Sequence, residues 1–106
     1  MIRATSQQFK FKIPYDISDV DKVNIMFWQE DDNSDEDAVL IVKTKEMCEQ
    51  LDSRTLCVTL HSEETSRFAV DRKAYVQFRA ITQDGFAFGS QRKQLTVYPM
   101  KEVADS

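Results

Sequence analysis

The sequence predicts an all-β fold, an immunoglobulin-like antiparallel β-sandwich of six to seven strands with one short helical turn, in a single domain spanning residues 1–106. Three observations predict it. Short segments of alternating apolar and polar residues recur at regular spacing, with turn signals between them. Residues 73–100 spell two strands joined by Asp84-Gly85, a strong hairpin signal because glycine accepts the positive φ that a tight primed turn demands. The chain of 106 residues, 42% hydrophobic and 30% charged, has room for one soluble core and no second domain. A small, partly open barrel is the alternative arrangement of the same strands.

The first strand alternates Phe9, Phe11 and Ile13 with Lys10 and Lys12 until Pro14 ends it. Residues 15–21, rich in Asp and Ser, read as a corner into a second strand over residues 22–29. There Val23, Ile25 and Phe27 face inward and Met26 and Trp28 project from the opposite face. Residues 30–37 hold six acids in eight positions, too dense a charge to pack, and form a loop. The third strand, residues 39–44, starts as an unbroken apolar run and is expected to be central or covered on both sides. Residues 47–51 turn into a half-buried strand in which Leu56, Val58 and Leu60 alternate with Cys57 and Thr59.

Ser62 as an N-cap, with Glu63 and Glu64 in the first turn, suits a short helix pinned by Phe68 or Val70. In the hairpin that follows, Val76, Phe78 and Ala80 share one face. The last strand has a parity conflict: Leu95 and Val97 align with Gln91 and Lys93, and Phe88 has the other parity. A bulge at Gly89-Ser90 would switch parity and turn Phe88 inward with Leu95. The expected core is Phe11, Ile25, Phe27, Val58, Val76 and Phe78.

Net charge −4 and a pI near 4.9, with no basic stripe, disfavour a nucleic-acid partner. The first fourteen residues contain no apolar core of secretory length, and no run of eighteen apolar residues occurs. A soluble chain made in the cytoplasm, with no membrane partner, is expected. Cys48 and Cys57 read as reduced thiols, although a two-residue turn on Asp52-Ser53 would set them opposite each other and allow a link. Asp31, Asn33 and Asp35 have the alternate spacing of a calcium loop. Glu36 stands where that loop needs glycine, however, and Val42 where it needs its closing glutamate, so the default is a mobile, metal-free loop.

His61 is the only histidine and reads as a surface or capping residue. Gly85 and Gly89 are the only glycines, which excludes a phosphate-cradling loop. No carboxylate pair sits on a strand face beside aromatic residues that would raise its pKa. The sequence therefore implies no catalytic residue, no cofactor and no metal, and the chain is expected not to be an enzyme. Arg72-Lys73 and Arg92-Lys93 read as solvated strand edges. The candidate interaction residues are Met26 and Trp28, an apolar pair on the outward face of a strand. A loop or neighbouring side chain covering them is the plainer alternative.

Three stretches carry a resemblance: residues 9–13 with 20–29; Val58-Thr-Leu-His-Ser-Glu-Glu-Thr-Ser-Arg-Phe68; and Val76-Gln-Phe-Arg-Ala-Ile-Thr-Gln-Asp-Gly85 through Ser90 and Leu95-Thr-Val97. Together they resemble small uncharacterised β-sandwich proteins encoded in bacteriophages and prophages and associated with virion or tail assembly. His61 and Ser62 replace the Thr and Gln usual there, and Arg92 and Lys93 replace apolar residues. The resemblance implies a structural or accessory role in the virion, as capsid decoration, connector or tail component. It also implies contacts with other virion proteins or with a second copy of the chain. The alternative is an acidic inhibitor that mimics nucleic acid and binds a host protein, for which a net charge of −4 is thin.

Overall fold

The computed structural model describes residues 1–30, 37–70 and 72–99. The expectations for the acidic loop at residues 31–36 and for the polar tail lie outside the described residues. Among those described, eight strands run in the order β1 (Gln7–Lys12), β2 (Val20–Glu30), β3 (Asp37–Thr44), β4 (Glu49–Asp52), β5 (Thr55–Leu60), β6 (Ala74–Thr82), β7 (Ala87–Gly89) and β8 (Lys93–Leu95). A one-turn helix, α1 (Ser62–Thr65), follows β5, and 3-10 turns precede β2 and follow β3.

The strands form two antiparallel sheets. One has the order β1-β5-β4; the other has the order β3-β2-β6-β7, with β8 also on β6. The chain changes sheet between β1 and β2, between β3 and β4, and between β5 and β6. That order is B-E-D facing C′-C-F-G, so the fold is an immunoglobulin-like β-sandwich. Ile2 also bridges Tyr98 in parallel.

Alternation along the strands sends the apolar residues into the space between the sheets. Val23, Ile25 and Phe27 from β2, Val39 and Ile41 from β3, and Val76 and Phe78 from β6 pack with Leu56, Val58 and Leu60 of β5. All six expected core residues join this cluster, Phe11 at its partly buried margin. Two ring contacts tie the sheets together: Phe9 to Phe27 at 5.0 Å and Phe11 to Phe78 at 6.0 Å between centroids. Antibody domains bridge the corresponding strands, B and F, with a disulfide. Here β1 and β6 meet through the Phe11 and Phe78 rings.

Three local readings need correction. The β6–β7 turn is not a two-residue primed turn. Thr82 N–H donates to Phe86 O at 2.9 Å and Gly85 N–H to Thr82 O at 3.0 Å, with Gly85 at φ +89°, so three residues form the loop. This is the three-residue class, in which a single left-handed glycine follows an ordinary turn. Next, the β4–β5 turn lies on Ser53-Arg54, because Asp52 pairs with Thr55, and a register shift before Asp52 sets Glu49 opposite Cys57. Cys48 therefore does not face Cys57 across the ladder. Both cysteines are free; burial pushes the Cys48 thiol up, and the nearby Cys57 adds to the shift. Finally, β3 is an edge strand that pairs only with β2 among the described strands, and it is not covered on both sides.

The register bears out the parity switch in the last strand. Arg79 pairs with Gly89 but Val76 with Lys93, so three residues oppose two, and Phe88 and Leu95 both reach the core margin. Ser90 closes the bulge: its N–H donates to Phe78 O at 3.0 Å, and its hydroxyl accepts from Phe78 N–H at 3.1 Å. A Cβ on Gly89 would lie 2.7 Å from Phe78 O, a backbone atom that cannot swing away. Gly89→Ala is expected to cost about 1–3 kcal/mol by overpacking, read from the urea midpoint.

Helix α1 forms as its sequence suggests, one residue earlier. His61, exposed, is the N-cap, and its N–H donates to the Glu64 carboxylate at 3.0 Å. Phe68, 1% exposed, anchors the segment, whereas Val70 stays 38% exposed. Glu64 also accepts from Lys43 Nζ at 2.8 Å, joining α1 to β3. Burial pushes the Glu64 carboxyl up, but the Lys43 and His61 contacts outweigh it and hold the carboxyl below the usual range. A carboxyl held low binds fewer protons in the folded chain than in the unfolded one. Its stabilisation is therefore complete above the unfolded value and disappears as pH falls through the folded value. Lys43→Met is expected to flatten this acid-side loss in urea midpoints measured from neutral pH downward.

Candidate interaction face

Strands β3, β2 and β6 present one side to β1 and β5 and the other outward. On the outward side the register aligns rows across the three strands. Leu40 faces Trp28, which faces Tyr75; Val42 faces Met26, which faces Gln77. Directly opposed side chains in a sheet contact one another, so these rows make one continuous surface.

Met26 and Trp28 project from this face, as their parity requires, and both are half-buried. Part of their cover comes from the chain itself. The Trp28 and Tyr75 rings lie 5.5 Å apart, and the Arg92 guanidinium sits 4.5 Å above the Tyr75 ring. Tyr75 is thus 7% exposed although it lies on the outer face. Arg92 also lies 3.6 Å from the Glu30 carboxylate, an exposed ion pair at one end of the stack.

On this face the exposed large apolar side chains are those of β3, where Leu40 is 52% exposed and Val42 is 44% exposed. Neither these two residues nor Tyr75 emerges from strand-by-strand reading. The available signal is the symmetry of the β2–β3 hairpin: once Met26 and Trp28 are known to point outward, their partners across the hairpin must do the same. Beside Met26 and Gln77 the face dips into a cleft of about 530 Å³ bordered by Arg79 and Ser90.

Among the described residues, no group of three His, Cys, Asp or Glu side chains is placed to hold a metal ion. No helix among them is long and apolar enough to cross a membrane. His61 stands at the N-cap of α1, where its backbone N–H is taken by the Glu64 carboxylate.

No family model matches the chain, and no curated protein matches it. Among solved structures it is similar to the V domain of amphioxus IgVJ-C2, at 16% sequence identity and a TM-score of 0.32. The alignment covers 92% of this chain and 96% of that one.

Proposed function

We propose that the protein is a non-enzymatic binding module whose protein–protein contacts are made by the outer face of the larger sheet. The carrying observation is the row pair Leu40–Trp28–Tyr75 and Val42–Met26–Gln77, with its two β3 residues open to solvent. Scattered exposed apolar residues are ordinary, but Leu40 and Val42, exposed on an edge strand and continuous with half-buried Met26 and Trp28, are what a partner would cover. Trp28 and Tyr75, stacked and held by Arg92, supply the rigid aromatic content typical of interface anchors.

Within this reading, the resemblance to phage and prophage proteins makes a virion or tail-assembly component, or a second copy of the chain, the first partner to test. A nucleic-acid mimic would need an acidic stripe. The described part of this face instead carries Arg79 and Arg92.

The test is the double variant Leu40→Asp/Val42→Asp. Both positions are exposed, so the urea midpoint should stay close to that of the parent, within about 1 kcal/mol of stability. Self-association, measured by sedimentation, or co-purification with virion proteins should be lost. A double variant that assembles as the parent does would overturn the proposal.

A further inference from the structure

A second cleft lies at the end of the sandwich that carries the β6–β7 turn. The connection from β1 to β2 and the turn from β6 to β7 meet there, fastened by Gln83 N–H donating to Asp19 O at 2.9 Å and Gln83 Nε2 to Ser18 O at 2.9 Å. The turn is braced internally as well. The Thr82 hydroxyl donates to the Asp84 carboxylate and accepts from Phe86 N–H.

These bonds hold Tyr15 and Phe86 edge to face, with ring centroids 6.2 Å apart, and Tyr15 rests against Phe88 at 4.9 Å. Tyr15 remains 38% exposed and Phe86 56% exposed. The cleft they wall, about 480 Å³, is otherwise lined by Asp19, Thr82, Gln83 and Asp84. Its charged lining residues are thus two carboxylates and no cation. Neither carboxylate is in an ion pair among the described residues.

We propose that this cleft binds an organic cation, best matched by the guanidinium of an arginine side chain presented by a partner. Aromatic faces attract a cation through the ring quadrupole, and a guanidinium can stack on a ring while donating to a carboxylate with its edge. The loops are already fastened to one another, so little ordering accompanies binding. Two exposed aromatic rings from separate connections thus line one cleft together with two carboxylates.

The probe is a short glycine-flanked arginine peptide titrated into the ¹⁵N-labelled full chain. A peptide with citrulline in place of arginine, of the same shape but uncharged, is the control. Saturable amide shifts confined to Tyr15, Asp19 and the 83–86 turn are expected, in roughly the millimolar range for a single side chain. Phe86→Ala should weaken binding about 2- to 5-fold, and Asp19→Asn/Asp84→Asn should abolish it. Both changes are at solvent-facing groups, and the spectra of the free variants verify the fold. The proposal is overturned if citrulline produces the same shifts, if the arginine peptide produces none at these amides, or if the variants bind as the parent does.

Discussion

Replacing Phe27 by alanine should cost about 3–5 kcal/mol and leave the domain largely unfolded if its stability lies at the low end of the usual range. Phe27 is completely buried on β2, the central partner of both β3 and β6, and its ring meets Phe9 of the opposite sheet. Truncation would remove one of the two aromatic contacts between sheets and leave a cavity that neighbours anchored in two ladders cannot fill. Urea unfolding followed by circular dichroism measures the loss. A midpoint equal to that of the parent would mean that the inner and outer faces of β2 are exchanged.

Gln29→Ala should cost on the order of 2–4 kcal/mol, an unusual penalty for a polar residue near a strand end. Gln29 is 1% exposed, and its amide serves three backbone groups. Nε2 donates to Ala69 O at 2.8 Å and to Arg72 O at 3.2 Å, while Oε1 accepts from Ala69 N–H at 2.7 Å. These bonds tie the segment between α1 and β6 to β2. Alanine would leave the half-buried Ala69 N–H without this partner, a loss of about 1–3 kcal/mol where water does not replace it. Gln29→Leu separates packing from bonding: it refills the space but not the hydrogen bonds, so it should recover little. A leucine variant as stable as the parent would show that the bonds to Ala69 and Arg72 contribute nothing net.

What was legible in the sequence was period and parity. The inner faces of β1, β2, β5 and β6 follow from simple alternation, and even the bulge after Gly89 follows, because Phe88 and Leu95 cannot both face inward without an extra residue. The edge position of β3 was not legible. Val39 to Val42 is apolar on both faces, and a run of that kind reads the same whether both faces are covered by the chain or one is left for a partner. Gln29 was hidden for another reason: its partners lie 40 and 43 residues away in sequence, and a polar residue at a strand end looks solvated until the fold is known. The turn at Gly85 shows that one glycine fixes a left-handed position but not the loop length around it.

Trp28 is the only tryptophan in the chain, and it stands on the proposed interface, so its fluorescence reports on that face alone. The most direct measurement is acrylamide quenching of Trp28, in the dilute isolated chain and in the chain bound to its assembly partner or concentrated with itself. The partner or second copy should sharply reduce quenching and shift the emission to the blue, and Leu40→Asp/Val42→Asp should abolish both changes. Equal quenching of Trp28 in the free and assembled states would contradict the account, because the contacts would then be made elsewhere on the molecule.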